Sequence, residues 1–205
     1  EVSQSSAVEL QRFGYQKGGD LAKAVFEDVL SLVTNANYSS KITVVAADFD
    51  ADEVADLRED GMDQSLYPDQ CALLLHNSYF TSLLKDTDLT HAMNYGSAEV
   101  VQGGRVPSLF GIKEVRESNS IPANAEDLKG MYVHPSSMAV AMRYLEPLNT
   151  GQYISARRVT DPDSGMVMGY REFYSPDTGT QTAVLESVYG MAVGIAANLI
   201  RIVAS

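Results

Sequence analysis

Cysteine, tryptophan and positive charge are scarce in this 205-residue chain. It has one cysteine, Cys71, and no tryptophan, and its 15 Lys and Arg residues are outnumbered by 27 Asp and Glu residues. A single cysteine excludes a disulfide within these residues, and with it a disulfide-rich scaffold. The net charge of −12 repels phosphate groups. We therefore expect neither sequence-specific DNA binding nor docking on an anionic membrane.

Long apolar runs are scarce as well. The longest one, VYGMAVGIAANLIRIVA, is interrupted by Asn198 and Arg201. It falls short of the ~20 residues that a membrane-spanning helix needs. We predict two buried strands joined by a short turn here, and no membrane partner. The hydrophobic content of 45% is nevertheless ordinary for a globular protein with a substantial core.

Helical and strand-like patterns alternate in the first part of the chain. Apolar residues recur at helical spacing in GDLAKAVFEDVLSLV, which predicts a helix capped by Asp20 and running to about Thr34, with the upstream residues able to continue it. KITVVAADF is rich in β-branched residues and predicts a buried strand. In DADEVADLREDGM, Asp50 opens a capping box, so a helix is expected to begin near Ala51 and to end at Gly61.

The middle of the chain predicts further strands and helices. QCALLLHN is typical of a buried strand, and SYFTSLLKD of the helix that follows it. SAEVVQGGRVPSLFGIKEVRES indicates two strands around a turn at Gly103 and Gly104, and GMYVH indicates another strand. PSSMAVAMRYL, with Pro135 in its first turn, predicts a helix with a buried face. The residues expected on that face are Met138, Ala141, Met142 and Leu145.

The last part of the chain is rich in predicted strands. QYISARRVTDPDSGMVMGYREFYSP predicts a β-hairpin with a polar loop at residues 161–165. TAVLESVYGMAVGI and NLIRIVA predict the remaining strands. The predicted order of elements along the chain, with a helix first, mixed helices and strands next and strands last, indicates an α+β fold with two packed lobes.

No set of residues predicts a catalytic, cofactor or metal site. The glycines of VQGGRVPSLFG lack the following Lys-Ser or Lys-Thr pair of a phosphate-binding loop. Cys71 and His76, five residues apart in one predicted strand, would face opposite sides of the sheet, so Cys71 is expected to be a buried structural residue. The acidic residues between positions 48 and 59 have calcium-loop spacing, but Glu53 stands where such a loop needs glycine.

The run VVQGGRVPSLFGIKEVRESNSIP resembles a segment of the major capsid proteins of tailed bacteriophages and prophages, the Hong Kong 97-type shell family. Members carry a similar order of a glycine, a small apolar residue, Leu-x-Gly-Ile/Val, a strand, Ser/Thr-Asn and x-Pro. LLLHNSYFTSLLKD resembles the family's strand-then-helix segment, although it has Asn77 and Ser78 and no proline. TAVLESVYGMAVGIAANLIRI resembles the family's closing strands. The residues that match the first segment are Gly104, Leu109, Gly111, Ile112, Asn119 and Pro122.

The resemblance implies an architecture. A Hong Kong 97-like α+β fold has a peripheral lobe with a long spine helix and a β-hairpin, expected at residues 1–40 and 149–183. Its mixed α/β axial lobe is expected at residues 41–148 and 184–205. The family's N-terminal arm and extended loop are expected to be absent from these residues. The hairpin loop with Asp161, Asp163 and Gly165 is a candidate inter-subunit contact, or else a free turn.

The resemblance also implies a function without enzymatic activity or cofactors. The chain would be a shell subunit that self-assembles, as pentamers and hexamers, into the icosahedral head that encloses phage DNA. It would lie in the virion after assembly in the host bacterial cytoplasm. The implied partners are other copies of the chain, a scaffold, a portal, a maturation protease, and packaged DNA held without sequence-specific contacts.

Three alternatives stay open at this point. An encapsulin-like bacterial compartment shell protein has the same fold, and a cargo-peptide pocket would favour it. A small hydrolase using Cys71 or a serine belongs to another class, as does a monomeric binding module. Assembly of the protein into shells would favour the phage shell and the compartment shell over the hydrolase and the binding module.

Overall fold

A computed structural model describes most of the chain as two compact units. One unit comprises Glu1–Asp28 and Val140–Met191, and the other comprises Val29–Ala139 and Ala192–Ser205. Within the described part of the chain, no helix is long and apolar enough to cross a membrane. The described residues are 7–87, 89, 109–122, 124, 126–146, 153–161, 165–177 and 179–205.

The secondary structure mixes three helices and ten strands over these residues. The helices are α1 (Ala7–Leu30), α2 (Ala51–Asp63) and α3 (Asn77–Lys85). The strands are β1 (Lys41–Thr43), β2 (Ala72–Leu75), β3 (Glu114–Glu117), β4 (Leu128–Val133), β5 (Met138–Arg143), β6 (Ser155–Thr160), β7 (Val167–Ser175), β8 (Thr180–Glu186), β9 (Val188–Val193) and β10 (Leu199–Val203). The α+β class predicted from the sequence is confirmed.

The second unit is built on a five-stranded mixed sheet. Its strand order is β1-β10-β4-β2-β3, in which the two outer pairs are parallel and the two central pairs are antiparallel. All five residues of β10 are buried, so both faces of the sheet are covered at its centre. The register places Leu73 opposite Tyr132, and Arg201 opposite Met131.

Alternate residues of β10 point into two separate apolar clusters. Ile200 and Ile202 join the larger cluster, to which α2 contributes Val54 and Leu57. Its other fully buried members include Phe49, Cys71, Leu73, Leu75, Tyr79, Leu83, Ile112 and Tyr132. The smaller cluster, on the opposite face of the sheet, contains Leu30, Val33, Tyr38, Ile121, Leu128, Met131, Leu199 and Val203.

Arg201 is a charged residue inside this core. It lies between Leu199 and Val203 on the same face of β10, and it is 1% exposed. Its Nε donates a hydrogen bond to the Tyr38 carbonyl at 2.7 Å, and its Nη2 donates to Asn35 Oδ1 at 2.7 Å. Its Nη1 forms an ion pair with Glu126 Oε2. The buried charge is therefore fully partnered.

The sequence predictions for α2, β2 and α3 are confirmed. Asp50 caps α2, because its Oδ1 accepts hydrogen bonds from the backbone N–H groups of Asp52 and Glu53, at 3.0 and 3.2 Å. The prediction that Gly61 ends this helix was wrong, since α2 continues to Asp63. A side chain at Gly61 would strike the buried Tyr132 ring, so this glycine serves close packing instead.

Helix α1 begins further upstream than the predicted cap. It starts at Ala7, so Asp20 lies inside the helix and forms an ion pair with Lys17 at 3.3 Å. The cap prediction at Asp20 was therefore wrong, whereas the continuation of the helix toward the N-terminus is confirmed. The helix ends at Leu30, before the expected Thr34.

The other unit contains a three-stranded antiparallel sheet in the order β6-β7-β8. Ser155 pairs with Glu172 and Thr160 with Val167, which confirms the predicted hairpin. β8 continues the meander, with Gly169 opposite Glu186. Inside the same unit, Met168 of β7 lies beside Gly18 of α1, and the Tyr189 hydroxyl donates a hydrogen bond to Asp28 Oδ2 at 2.7 Å.

The predicted helix in PSSMAVAMRYL was wrong. Pro135–Ser137 forms a single 3-10 turn, and Met138–Arg143 is strand β5, which pairs with β9. Of the residues expected to be buried, Met138 and Met142 are half-buried, and Ala141 and Leu145 are exposed. Met, Ala and Leu are good helix formers, but pairing with a strand distant in sequence overrides that local preference.

Two other strand predictions need correction or remain partly open. KITVVAADF forms a strand only over Lys41–Thr43, because the chain then turns toward α2, and the predicted burial was wrong, since Lys41 and Thr43 are exposed. Of the two strands expected around Gly103 and Gly104, the second is confirmed as β3. The first strand and both glycines lie outside the described residues.

The contact between Gly61 and Tyr132 gives a testable prediction. A Cβ at Gly61 would lie 2.7 Å from Tyr132 Cε1. Gly61→Ala should lower the free energy of unfolding by about 1–2 kcal/mol, because a Cβ this close to a buried ring belongs in the upper part of the overpacking range, about 2–3 kcal/mol, and alanine returns only ~1 kcal/mol in a helix. Urea denaturation measures the difference.

Gly19→Ala is the matched control for Gly61→Ala. Gly19 is exposed in α1, and a Cβ there meets no described atom within 4 Å. This substitution should raise the free energy of unfolding by up to ~1 kcal/mol. Stabilisation at both positions would contradict the described packing of α2 on β4.

Candidate functional site

The segment that carries the family-like motif contains a tight turn at Leu109–Ile112. The Ile112 N–H donates a hydrogen bond to the Leu109 carbonyl at 2.8 Å. Phe110 and Gly111, the two residues between them, have φ values of 49° and 79°. Two successive residues in the left-handed region are typical of a type I′ turn, in which glycine is favoured at both positions. Gly111 fits this turn without strain, whereas Phe110 does not.

The residues after this turn anchor the edge strand of the sheet. Ile112 is fully buried in the larger apolar cluster. The Lys113 N–H donates to the carbonyls of Pro68 and Cys71, at 2.9 and 3.1 Å, and β3 then runs parallel to β2. At the end of this pairing, the Ser118 N–H donates a hydrogen bond to the Leu75 carbonyl at 2.8 Å. Leu109, Gly111 and Ile112 therefore set the position of β3.

The end of the motif forms an irregular connection to β4. Asn119 is exposed, and the half-buried Pro122 accepts a hydrogen bond from the Asn124 N–H at 2.9 Å. No sequence pattern marks Asn124, yet its side chain organises this connection. Its Nδ2 donates to the Val33 carbonyl, and its Oδ1 accepts from the N–H groups of Glu126 and Leu128, each at 3.2 Å. Gly104, the first motif residue, lies outside the described residues.

Two large aromatic side chains are exposed near the Leu109–Ile112 turn. Phe110 is 45% exposed, and Tyr67, which precedes Pro68, is 56% exposed. The hydrogen bond from Lys113 to Pro68 joins the two segments that carry these side chains. An aromatic residue that is nearly half exposed in an unfavourable backbone conformation gains only partial burial inside the isolated unit, which makes this turn a candidate contact surface.

The polar loop between β6 and β7 is the other predicted contact. The Asp161 N–H donates to the Met166 carbonyl, and the Gly165 N–H donates to the Asp161 carbonyl, both at 2.9 Å. Gly165 has a φ of 69°, which explains the glycine at this position. Asp163 lies outside the described residues. The structure places the loop at a hairpin end, and its role between subunits remains a prediction.

Cys71 has the surroundings of a structural residue. It is fully buried beside Tyr132, and this burial raises the pKa of the thiol above its usual value of 9.0. A nucleophilic cysteine needs the opposite shift, toward the thiolate. The prediction that Cys71 and His76 share one strand was wrong, because β2 spans only Ala72–Leu75.

The two described histidines cap helical turns. His76 Nδ1 accepts a hydrogen bond from the Ser78 N–H at 3.3 Å, at the start of α3. His134 Nδ1 accepts from the Ser136 N–H at 3.2 Å, at the start of the 3-10 turn. Among the described residues, no group of three or more His, Cys, Asp or Glu side chains is arranged to hold a metal ion.

No protein-family model and no curated protein matches this chain. Solved structures do match it. A structure from Mycobacterium phage Che8 is similar with a TM-score of 0.60 and 18% identity, over 98% of this chain and 65% of that one. The capsid structure of cyanophage P-SCSP1u is similar with a TM-score of 0.65 and 14% identity, over 95% of this chain and 65% of that one.

The mature capsid of bacteriophage PhiM1 is a third similar structure. Its asymmetric unit gives a TM-score of 0.59 and 13% identity, over 99% of this chain and 66% of that one. This chain thus spans about two thirds of the length of each of these structures, and its match runs along nearly all of its own residues. The resemblance noted in the sequence is confirmed at the level of the fold: this chain has the fold of phage capsid structures.

Proposed function

We propose that this chain is a structural shell subunit whose copies self-assemble into the icosahedral head of a tailed bacteriophage or prophage. The observation that carries the proposal is the likeness to phage structures over 95% or more of the chain, two of which are described as capsids. The phage source of these structures favours a virion head over a bacterial compartment. The subunit would then be non-enzymatic, located in the virion and assembled in the cytoplasm of the bacterial host.

We also propose that the two units are the two lobes of a Hong Kong 97-like subunit. The unit with Glu1–Asp28 and Val140–Met191 holds most of α1 and the β6-β7-β8 sheet, which fits a peripheral lobe with a spine helix and a hairpin. The unit with the five-stranded mixed sheet fits an axial lobe. These boundaries differ from the 1–40 and 149–183 division expected from the sequence.

Phe110 is our candidate for a contact between neighbouring subunits. A left-handed backbone costs an aromatic residue roughly 1–2 kcal/mol, and the Phe110 side chain is nevertheless only partly buried, with 45% of its surface exposed. Exposed aromatic anchors that fill a pocket on a partner are typical of the residues that dominate binding energy. The loop with Asp161, Asp163 and Gly165 is a further proposed contact.

Partners other than the chain itself follow from the shell role. Scaffold, portal and maturation protease are the proteins that such a shell would meet during assembly. Packaged DNA would touch the inner wall without sequence-specific contacts. A net charge of −12 is consistent with a wall that does not adhere to phosphate groups during packaging.

The proposal predicts self-association. The gene product, expressed with whatever residues its gene places before Glu1 and after Ser205, should form rings or closed shells as protein concentration rises. Sedimentation velocity over a wide concentration range measures this directly. A folded protein that sediments as a monomer at every concentration would sink the proposal and favour a monomeric binding module.

Phe110→Asn separates the contact role of this residue from its role in folding. Asparagine tolerates a left-handed backbone, and this relief offsets the lost partial burial, so the free energy of unfolding should change by less than about 1 kcal/mol. Assembly should require at least about tenfold more protein, as expected when an interface anchor worth about 1.4 kcal/mol is lost. Phe110→Tyr keeps the ring and is the control that should assemble normally. Normal assembly of a folded Phe110→Asn protein would remove Phe110 from the interface.

A further inference from the structure

Strand β6 exposes two adjacent arginines at the edge of the β6-β7-β8 sheet. Arg157 and Arg158 are both exposed, and neighbouring residues of a strand point to opposite faces. The guanidinium carbon Cζ of Arg157 lies 5.1 Å from the centre of the Tyr170 ring. Neither guanidinium has an ion pair with any residue that the structure describes, which is also true of Arg58 and Arg143, but Arg157 and Arg158 are adjacent and so place two unneutralised positive charges on one short stretch of strand.

Helix α2 presents an unneutralised acidic stripe. Residues 48–63 hold eight carboxylates and one arginine, so this short stretch carries more than half of the net charge of the chain. Five of the eight recur at helical spacing on the face opposite the buried Val54, Leu57 and Gly61, and all five are exposed. The acidic stripe consists of Asp52, Asp56, Glu59, Asp60 and Asp63.

The acidic stripe opposes the stability of its own helix. Three pairs at i,i+4 spacing bring like charges together, namely Asp52 with Asp56, Asp56 with Asp60, and Glu59 with Asp63. The last turn, where a helix favours cations, contains no basic residue. In the described part of the chain, none of the five carboxylates forms an ion pair.

Glu53, which lies beside the acidic stripe, is affected by the same uncompensated negative charge. Burial raises the pKa of Glu53 above its usual value of 4.5, and the charges of Asp56, Asp50, Asp48 and Asp52 add to the shift. Repulsion that destabilises a helix, and that nothing in the subunit offsets, is expected at a site where contact with a partner offsets it.

We propose that the acidic stripe of one copy docks along the edge strand β6 of a second copy, where it can reach Arg157 on one face of the sheet and Arg158 on the other. This inference rests on the proposed function and names a contact that assembly would use. The two surfaces lie on different units of the chain, so repeated pairing can run head-to-tail from copy to copy, and such heterologous contacts form rings when the rotation between copies closes. Opposite charges across an interface steer association and fix its register.

Charge reversal and charge exchange test the pairing. Arg157→Glu with Arg158→Glu, and Asp56→Lys with Asp63→Lys, should each raise the concentration needed for assembly by about tenfold or more at low salt. The α2 variant turns all three like-charge pairs into opposite-charge pairs, so it should fold at least as well as the original chain. All four substitutions combined should assemble at a lower protein concentration than either reversal alone, because the two introduced lysines can pair with the two introduced glutamates.

Lys41→Glu with Lys85→Glu is the charge-matched control. Both lysines are exposed, and these two changes shift the net charge as much as reversing both arginines does. This control should assemble within about threefold of the original protein if the pairing, rather than net charge, governs assembly. Thermal melting confirms that each variant is folded.

The outcomes separate the two proposals. A combined variant that folds but stays as defective as either reversal would overturn the pairing alone, as would reversals that assemble normally. Loss of assembly in the lysine control would also overturn it, in favour of a net-charge effect. If a DNA duplex binds the original protein but not the arginine variant, which still assembles, the arginines serve DNA instead. An original protein that never assembles would overturn the proposed function as well.

Discussion

The buried guanidinium of Arg201 constrains most of the five-stranded unit. A charge taken out of water costs several kcal/mol unless hydrogen bonds and an opposite charge replace its hydration. Arg201 therefore requires the Tyr38 carbonyl, Asn35 and Glu126 to stay in place around it. Glu126 also accepts the Asn35 N–H, at 2.9 and 3.0 Å. Losing the arginine would take the ion-pair partner from Glu126 and the donor from the Tyr38 carbonyl, and one buried acceptor left without a donor costs about 1–3 kcal/mol.

The core set by this network positions two of the surfaces through which copies would meet, both in the same unit. β10 aligns β4, and the buried Tyr132 of β4 holds α2 through its contact with Gly61. β4 aligns β2, and β2 aligns β3 with the turn that presents Phe110. A preorganised surface loses little conformational entropy on binding, so modest contacts suffice when many copies repeat them.

Elements governed by local signals were predictable, and those governed by distant partners were not. The cap at Asp50, the apolar run of β2 and the glycine at the Phe110 turn each encode their own conformation. Residues 138–143 read as a helix because nothing nearby reveals their pairing with β9. The burial of Arg201 was missed because its partners are 75 to 166 residues away, and Phe110 was missed because periodicity does not report exposure.

Electron cryomicroscopy of material purified from bacteria that express the gene product tests the shell role most directly. The account predicts closed particles made of fivefold and sixfold rings, in which density for the mixed sheet and for the β6-β7-β8 sheet recurs in every subunit. The turn with Phe110 should lie at a contact between copies. Folded protein that yields neither rings nor shells would contradict the account.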